Sequence, residues 1–475
     1  MNITFHGAAR NVTGSKHLIR LNDGTSVLLD CGMFQGMGLK THELNETLGF
    51  DPASISFLLL SHAHIDHSGL IPMLVKRGFT GKIYCTEATR ELAEILLYDS
   101  AEIQTYETDH INKIRADHNL SSYAPLYAME DVENCLQLFE TVMYNIPFNI
   151  TNDVQALFIN AGHLIGGACI HLTIREGDNK TTVLFSGDVG RYRSMLLQAP
   201  ATFPQADYII LESTYGATTR QPNFNTIDTL RKWIKKTCLE KKGKLIIPAF
   251  SVGRTQEVLY ALNQLELEHT LPELRYFVDS PLGAKATKIV KHHMEYFNER
   301  LQQVLTTDDD PFDFKGLTYI ESAEDSKKLV AYNEPCVIIS ASGTADAGRV
   351  RHHIFNALSD KKNAILFVGF CQEQSLGGQL LSKCKTVELF GNICAVEAET
   401  GYINSMSAHG DSDDLLKFIS CQDPESVQNV FLVHGEYQTQ QVFAAKLERK
   451  GFKTVTIPSI HQQYELQPVM TNVPV

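Results

Sequence analysis

The sequence predicts an α/β fold, and two features of the chain support this class. Short apolar runs typical of buried strands alternate with longer segments typical of helices. Several apolar runs end directly in an acidic residue or a histidine, and open α/β sheets place their ligands at the carboxyl ends of strands in this way. The chain has 475 residues, which is too long for one ordinary core, so we expect two domains.

The short apolar runs are the predicted strands of this fold. They are Ser26–Asp30, Phe57–Leu60, Lys82–Cys85, Thr182–Phe185, Tyr208–Leu211, Leu245–Ile247, Val337–Ile339, Ile365–Val368 and Val430–Val433. The longer segments between them are the predicted helices. They are Glu87–Asp99, Glu130–Val142, Thr226–Glu240, Arg254–Leu265, Gly283–Arg300 and Gln438–Lys450. The segment Thr306–Gly316 is predicted to form an exposed loop.

Composition excludes several classes of protein. Apolar residues make up 43% of the chain and charged residues 20%, as in soluble globular proteins. No apolar run approaches the roughly 20 residues that a membrane helix requires, and the N-terminal segment does not resemble a secretory signal. The ten cysteines are scattered singly, which fits a reducing cytosol, so we expect a cytoplasmic protein. The net charge of -13 argues against a general polyanion binder.

Five apolar runs lead into a residue that can bind or orient a metal ion. They are VLLD with Asp30, LLLSHAHIDH with His67, LFSGD with Asp188, IILE with Glu212 and FLVH with His434. A single strand that ends in aspartate or histidine is more often a simple turn. Five such ends could converge on one site, although the sequence alone does not show that the strands are neighbours.

The segment Leu58–Leu70 contains three histidines and an aspartate within six residues. His62 and His64 lie two positions apart, so they face the same way in an extended segment. Asp66 and His67 follow where the chain has to turn. This segment can therefore give two ligands to each of two metal ions, and imidazole and carboxylate suit Zn²⁺. The alternative interpretation is a polar loop that happens to be rich in histidine.

The HAHIDH segment resembles the HxHxDH signature of the metallo-β-lactamase superfamily, and other motifs of that superfamily follow in order. Asp30 in VLLDCG resembles the first motif, His163 in NAGHLIGGA the third and Asp188 in FSGDVGR the fourth. Taken alone, His163 would more often be a structural histidine. The resemblance implies an αββα sandwich with metal ions at one edge.

Three further motifs resemble those of the β-CASP subgroup, whose members are nucleases. LESTYG carries Glu212, SMSAHGDSDD carries His409 and FLVHGE carries His434. The phrases PAFSVGRTQEVLY, FVDSPLGAKAT and IISASGTADAGRV resemble the inserted β-CASP α/β domain. The resemblance covers essentially the whole chain, and it is closest to the prokaryotic branch related to the endonuclease subunit of the cleavage and polyadenylation machinery. It implies a metallo-β-lactamase domain at 1–213 and 402–475, with a β-CASP domain at 214–401.

The resemblance also implies a role for each matching residue. Its zinc ligands are His62, His64 and His163 for one ion, Asp66, His67 and His434 for the other, and Asp188 as the bridge. Its catalytic residues are Asp66, Asp188, Glu212 and His409. His409 would act as a general acid, because the Glu212 carboxylate behind the imidazole favours the protonated ring. Asp30 would fix the orientation of a ligand.

The expected substrate is RNA, because similar proteins with a histidine at the position of His434 mostly act on RNA, whereas DNA-repair members tend to carry valine. We therefore expect a two-zinc ribonuclease that cuts single-stranded RNA, mainly endonucleolytically, in the cleft between the two domains. Arg254 is a candidate phosphate contact, since a guanidinium group binds phosphate bidentately. Ser342, Gly343 and Thr344 could also contact substrate through hydroxyl and backbone N–H groups, although a plain strand-to-helix turn explains them nearly as well.

Other functions stay open at this point. The chain could be a 5′-to-3′ exoribonuclease, a hydrolase of small phosphodiesters, thioesters or lactones, or an RNA-binding subunit without catalysis. The large insertion argues against a small substrate, and the complete set of ligands argues against an inactive protein. A homodimer is also open, because dimers occur among the proteins that the chain resembles.

Several eye-catching residues have simpler interpretations. The basic segment Arg231–Lys244 is expected to be the solvated face of a helix. Arg349 and the pair His352–His353 could face the cleft between the domains, but they are expected to cap or solvate their helix. The loop His6–Ser15 is interpreted as a turn near the site, without ligands. His461 occupies a position where similar proteins often have glycine, and it is expected to lie at the surface.

Overall fold

The structure is a computed structural model, which describes residues 1–37, 40–117, 121–219, 226–369 and 371–468. The chain divides into two compact units, of which the second is inserted in the sequence of the first. Unit 1 comprises Met1–Tyr192, Ala199–Thr219 and His409–Val475, and unit 2 comprises Arg193–Gln198 and Arg220–Ala408. These units differ from the predicted domains at residues 193–198, 214–219 and 402–408, and the domain bounds stay a prediction.

The first sheet of unit 1 has the strand order β22-β1-β2-β3-β4-β5-β6. Its strands are β1 (Asn2–Phe5), β2 (His17–Arg20), β3 (Ser26–Leu29), β4 (Phe57–Leu59), β5 (Lys82–Cys85), β6 (Phe139–Thr141) and β22 (Gln462–Glu465). Strands β3 to β6 run parallel, and β22, β1, β2 and β3 pair antiparallel.

The second sheet of unit 1 has the strand order β21-β20-β11-β10-β9-β8-β7. Its strands are β7 (Phe148–Asn149), β8 (Val154–Asn160), β9 (Ala168–Glu176), β10 (Asn179–Phe185), β11 (Tyr208–Glu212), β20 (Asn429–Val433) and β21 (Val455–Thr456). Strands β10, β11, β20 and β21 run parallel, and the other pairs are antiparallel.

The two sheets of unit 1 pack face to face over a shared apolar core. Phe5 and Leu29 contribute to it from the first sheet, and Ile170, Phe185 and Phe431 from the second, all nearly without solvent exposure. Burying this apolar surface is the main driving force that holds the two sheets together.

Unit 1 also contains helices, some of which pack against the outer sides of the two sheets. They are α1 (Lys40–Glu46), α2 (Ile65–Ser68), α3 (Ile71–Lys76), α4 (Glu87–Asp117), α5 (Met129–Leu136), α13 (Ser412–Ile419) and α14 (Tyr437–Arg449). Leu415 of α13 and Phe443 of α14 pack with Ile209 on the outer face of the second sheet, and α3 and α4 contact α5 beside the first sheet. The αββα sandwich expected from the sequence is therefore confirmed.

Unit 2 is built on a parallel sheet with the strand order β14-β13-β15-β12-β16-β19. Its strands are β12 (Leu245–Pro248), β13 (Arg275–Asp279), β14 (Leu317–Tyr319), β15 (Cys336–Ser340), β16 (Ala364–Phe367) and β19 (Glu399–Tyr402), and a separate hairpin is formed by β17 (Thr386–Leu389) and β18 (Asn392–Ala395). Its helices are α6 (Thr226–Ile234), α7 (Arg254–Leu267), α8 (Pro281–His292), α9 (Glu299–Val304), α10 (Ala323–Val330), α11 (Val350–Ala357) and α12 (Leu376–Leu381). A π-helical segment, Lys235–Glu240, continues α6.

Each predicted strand is present, but three predicted helices are wrong in their extent. The helix predicted over Glu87–Asp99 continues to Asp117. The helix predicted over Glu130–Val142 ends at Leu136, because Phe139 pairs with Ile83 and starts strand β6. The helix predicted over Gly283–Arg300 ends at His292, and a new helix starts after Asn298, whose side chain accepts a hydrogen bond from the Leu301 amide.

The loop predicted over Thr306–Gly316 is irregular, as expected, but it is not wholly exposed. Phe312 and Phe314 are buried, so this segment adds to the core of unit 2. The basic segment Arg231–Lys244 behaves as predicted. Its Lys236 and Lys241 both pair with Glu399 at the surface, which explains the run of charge without a ligand.

The interpretation of His353 is wrong, because this side chain is buried and does not solvate its helix. Its Nε2 lies 2.6 Å from the carboxylate of Asp279, which is fully buried at the end of β13. Arg349 donates to the other oxygen of the same carboxylate at 2.8 Å. Ser326 donates at 2.6 Å to the oxygen that faces His353. His352 is exposed, as expected, and stacks on Phe390.

No helix within the described ranges combines the length and the apolar character that crossing a membrane requires. All ten cysteines carry free thiols.

Candidate metal centre

The candidate site lies at one edge of the sandwich of unit 1, where strands of both sheets end. Strands β3 and β4 are parallel neighbours in the first sheet, and β10, β11 and β20 are parallel neighbours in the second. Asp30, His62, Asp188, Glu212 and His434 each lie at the carboxyl end of one of these strands or a few residues beyond it. The convergence that the sequence could not show is thus a consequence of the strand order.

Three histidines and one aspartate form the first group of potential ligands. The Nε2 atom of His62 lies 3.1 Å from Nδ1 of His64, and Nε2 of His163 lies 3.3 Å from the same Nδ1. Oδ2 of Asp188 lies 3.5 Å from His62 Nε2 and 3.6 Å from His163 Nε2. Ligand atoms of a tetrahedral zinc ion lie about 3.3 Å apart when the bonds are about 2.0–2.1 Å long. These four donors therefore fit one ion.

The second group consists of Asp66, His67 and His434, together with the other oxygen of Asp188. Nε2 of His434 lies 3.3 Å from both His67 Nε2 and Asp66 Oδ2. Oδ1 of Asp188 lies 3.3 Å from His67 Nε2. The two oxygens of Asp188 thus face different groups, which is the arrangement of a carboxylate that bridges two ions.

The charge state of the first group also suits a cation. Burial lowers the pKa of His62 and His163 well below the usual range and that of His64 to about 4, so these rings are neutral and keep a lone pair for a metal. Burial alone would raise the pKa of Asp188, but the imidazoles around it hold the pKa well below its usual range. Its Oδ1 is buried and accepts no hydrogen bond from any residue that the structure describes. A bound divalent ion would satisfy this orphaned oxygen.

The surroundings of His67 stabilise positive charge. Burial would lower the pKa of His67, but the carboxylates of Asp188, Asp30 and Asp66 raise it well above the usual value. A cation placed among these carboxylates would be stabilised by the same charges.

Asp30 lies directly behind His67. One of its oxygens is 2.6 Å from His67 Nδ1, and the carboxylate also accepts hydrogen bonds from the amide and hydroxyl of Ser61 at 2.7 and 2.9 Å. Asp30 is fully buried and has a φ of 59°, in the left-handed region that aspartate tolerates better than most residues. With Nδ1 engaged by Asp30, Nε2 is the nitrogen of His67 that faces the candidate ligands.

His434 is held by contacts that the sequence interpretation missed. Its Nδ1 lies 3.0 Å from the hydroxyl of Thr214, and its amide donates to the carbonyl of Ala8 at 2.7 Å. Thr214 lies in the LESTYG motif, and Ser61 lies in LLLSHAHIDH. Each is a hydroxyl residue inside a motif that also carries a candidate site residue, and this is the signal by which the sequence could have identified them. The loop His6–Ser15 supports the site through its backbone, as expected, since the Ser15 amide also donates to the carbonyl of Asp66.

His409 and Glu212 form a pair at the rim of the cluster. Nδ1 of His409 lies 3.1 Å from Oε1 of Glu212, and the His409 ring centroid is 4.6 Å from that of His163. Glu212 is fully buried, and its two oxygens accept hydrogen bonds from the amides of Val189 and Thr214. Burial would lower the pKa of His409, but the Glu212 carboxylate raises it above the usual value. This imidazole is thus placed to carry a proton.

The residues predicted to bind substrate lie in unit 2. Arg254 is buried and forms an ion pair with Glu257. Ser342 has a buried hydroxyl for which the described residues offer no hydrogen-bond partner, and Gly343 lies against the ring of Phe250. The carbonyl of Thr344 accepts a hydrogen bond from the Gly377 amide. Substrate binding by these residues stays a prediction.

His461 is exposed, as expected. Its Nδ1 lies 2.9 Å from Nδ1 of the buried His6, and it is not among the candidate ligands.

Models of three known families match this chain. The metallo-beta-lactamase superfamily matches residues 13–222, the Beta-Casp domain matches residues 255–380, and the Zn-dependent metallo-hydrolase RNA specificity domain matches residues 394–458. The first and third matches together contain every candidate ligand described above. The second lies wholly within unit 2.

Curated relatives match along nearly the whole chain. Ribonuclease TTHA0252 of Thermus thermophilus is 33% identical over 452 residues, which is 95% of this chain and 97% of the relative. An RNase J-like protein of Methanocaldococcus jannaschii is 30% identical over 96% of this chain and 97% of its own length. Transcription termination factor FttA of the same organism is 28% identical over 96% of this chain and 70% of its own length.

Proposed function

The chain belongs to the β-CASP family of metal-dependent hydrolases in the metallo-β-lactamase superfamily, and we propose that it is a ribonuclease that cleaves single-stranded RNA, mainly at internal positions. The observation that carries this proposal is the pair of His409 and Glu212 beside the His/Asp cluster. Cleavage of a phosphodiester requires a proton for the leaving oxygen, and this pair can supply it. The match to an RNA specificity domain spans His409, one of the relatives is named a ribonuclease, and another is named an RNase J-like protein.

We assign the metal ligands as two zinc sites that share Asp188. His62, His64 and His163 would hold one ion, and Asp66, His67 and His434 the other. The close spacing of these donor atoms and the neutral state of the first three imidazoles support this assignment. The chemistry that zinc supplies at such a site is activation of water and stabilisation of the charge on phosphate.

The chain's own residues would then move and hold the proton. The Nδ1–H of His409 donates to Glu212, so Nε2 is the atom that delivers a proton to the leaving oxygen. Glu212 keeps the ring protonated and is itself fixed by two backbone amides. Asp66 and Asp188 contribute charge and geometry as ligands, and Asp30 fixes the ring of His67.

Substrate contacts in unit 2 are a further part of the proposal. Ser342, Gly343 and Thr344 would contact the RNA strand, and Arg254 would bind a phosphate only after its ion pair with Glu257 opens. The buried hydroxyl of Ser342, without a hydrogen-bond partner in the described part of the chain, supports the first of these assignments.

The test is cleavage of a circular single-stranded RNA, with the metal content measured on the same preparation. A circle has no end, so linear product shows an internal cut, and we expect it together with about two zinc ions per chain. The variant His64→Ala should lose metal and cleavage together, whereas Lys328→Ala, at an exposed surface ion pair, should keep both. The homodimer stays a prediction, and light scattering tests it by measuring the molar mass of the same sample.

Two other outcomes would change the proposal. Intact circles at full metal content, with degradation of linear RNA from a 5′-phosphate end, would make the chain a 5′-to-3′ exoribonuclease. If neither RNA is cut while small esters or phosphodiesters are hydrolysed, the RNA substrate is wrong and the metal centre still stands.

A further inference from the structure

Phe250 exposes an aromatic ring at the carboxyl end of β12 in unit 2. Its side chain is 43% exposed, although the residues on either side of it, Ala249 and Ser251, are buried. The carbonyl of Phe250 accepts hydrogen bonds from the amide and the hydroxyl of Thr255, at 3.1 and 2.8 Å. The exposed ring therefore stands on a fixed backbone.

Two glycines, Gly343 and Gly369, lie next to this ring. A Cβ atom at Gly343 would lie 2.7 Å from Cδ2 of Phe250, which is closer than real contacts allow, and a Cβ at Gly369 would lie 3.8 Å from its Cε2. The ring thus lies against the backbone that follows the neighbouring strands β15 and β16. Glycine at 343 is required for this close approach.

The position of Phe250 in the sheet is one where α/β proteins bind ligands. Strands β12 and β16 are neighbours in the sheet. After β12 the chain continues to β13, toward one edge of the sheet, and after β16 it continues to β19, at the opposite edge. The carboxyl ends of β12 and β16 therefore meet at a topological switch point, where ligands bind in open α/β sheets.

A second observation points to a ligand at the same place. Ser342 lies next to the glycine under the ring, and its hydroxyl is buried with no hydrogen-bond partner among the described residues. A buried hydroxyl without a partner costs free energy that a bound polar group would recover. An exposed aromatic face and, in the residue that precedes Gly343, an unpaired hydroxyl suit a ligand with a flat ring and a polar backbone.

We propose that a nucleobase of the RNA substrate stacks on Phe250 while the Ser342 hydroxyl hydrogen-bonds to its sugar or phosphate. This rests on the proposed function, because RNA is the occupant. The charge of the chain favours such a contact. With a net charge of -13, attraction to phosphates is a weak source of affinity, whereas stacking does not depend on charge.

The experiment compares steady-state RNA cleavage by the wild type, Phe250→Leu, Phe250→Trp and Phe390→Leu. Phe390 is a matched control, because it has the same 43% exposure in the same unit but its ring is already covered by Arg351 and His352. Loss of one stacked base should raise KM about 5- to 150-fold in Phe250→Leu, with a smaller change in kcat. Phe250→Trp should restore KM, and Phe390→Leu should match the wild type.

A second arm tests the base itself with RNAs that carry one abasic ribose, moved along the strand. For the wild type, an abasic ribose at one position of the RNA should raise KM by the same factor as the substitution Phe250→Leu. For Phe250→Leu, an abasic ribose at that position should leave KM unchanged. Equal KM values for Phe250→Leu and Phe390→Leu on a substrate that the wild type cleaves would overturn the stacking inference and leave the ribonuclease intact.

The inference stays testable when the wild type cuts no RNA. The RNA then remains whole, and its Kd is measured directly by fluorescence anisotropy. An unchanged Kd in Phe250→Leu overturns the inference, and a raised Kd that Phe250→Trp restores supports it. Failure of the wild type to bind RNA at all overturns both the inference and the proposed function.

Discussion

Nδ1 of His67 lies 2.6 Å from a carboxylate oxygen of Asp30, and neither side chain has more than 1% solvent exposure. The same carboxylate accepts two hydrogen bonds from Ser61, at the start of the loop that carries the other histidines. One buried side chain thus ties the orientation of a candidate ligand to the end of the neighbouring strand. This makes Asp30 the residue through which the sheet positions the second group of ligands.

The first prediction is that Asp30→Asn weakens metal binding about 10- to 100-fold, as loss of a partner behind a ligating histidine typically does. Asparagine keeps the shape but removes the charge that fixes the His67 tautomer. Competition with a chelator of known affinity measures the effect. Asp325→Asn, at an exposed carboxylate of unit 2, is the control and should bind metal like the wild type. Unchanged affinity in Asp30→Asn would show that Asp30 only packs behind the site.

The second prediction concerns the proton donor. Glu212→Gln removes the carboxylate that keeps His409 protonated, so we expect kcat for RNA cleavage to fall about 10²- to 10⁴-fold, the usual contribution of general acid catalysis. The metal content should stay that of the wild type, because Glu212 is not among the candidate ligands. Asp66→Asn is the contrasting variant and should lose metal as well as activity. If Glu212→Gln cleaves at the wild-type rate, His409 is not the acid.

Much of the candidate site could be predicted from the sequence. Strands buried on both faces form continuous apolar runs, so the position where each strand ends is visible in the sequence. Asp30 was recognisable because it directly follows such a run, and Asp188 because it follows one after two residues. The order of the strands was not readable, because it depends on contacts between segments far apart in the chain. The pair of Glu212 and His409, 197 residues apart, was expected only from the family resemblance, because no local pattern joins residues so distant in the chain.

The sequence failed where a long-range partner overrides a local pattern. His353 looked like a polar residue on a helix, and its burial depends on Asp279, which lies 74 residues earlier. The helix predicted to continue to Val142 ends early because β5 offers a neighbouring strand to Phe139. The exposure of Phe250, inside the motif PAFSVGRTQEVLY, could not be predicted, because no local sequence pattern distinguishes an exposed phenylalanine from a buried one.

The third prediction is a pH dependence of stability caused by His6. Burial, followed by the nearby His461, lowers the pKa of His6 to about 4 in the folded chain, whereas the unfolded value is 6.5. The unfolded chain therefore binds this proton more readily, and stability is lost as pH falls from 6.5 toward 4. The loss attributable to His6 amounts to roughly 3 kcal/mol. Urea unfolding at pH 7.5 and pH 4.5 measures it.

The matched comparison for this prediction is the variant His6→Asn, which has no group to titrate in this range. Its drop in unfolding free energy between the two pH values should be smaller than that of the wild type, because the substitution removes both the proton on His6 and its repulsion with His461. His42→Asn, at a partly exposed histidine, should keep the wild-type drop. Identical drops in the wild type and His6→Asn would rule out His6 as the cause.

The last prediction concerns the buried charge of unit 2. Asp279 accepts hydrogen bonds from His353, Ser326 and Arg349, and these partners hold the pKa of the carboxyl below its usual range although burial would raise it. Asp279→Ala leaves the buried His353 and the partly exposed Arg349 without their carboxylate, so we expect a loss of about 3–5 kcal/mol, as for other broken buried pairs. Urea unfolding followed by limited proteolysis should show unit 2 opening at lower urea, while the metal content of unit 1 stays that of the wild type. If unit 2 of Asp279→Ala unfolds at the same urea concentration as in the wild type, the former partners of Asp279 must find other acceptors. The control is Asp325→Ala, at an exposed carboxylate.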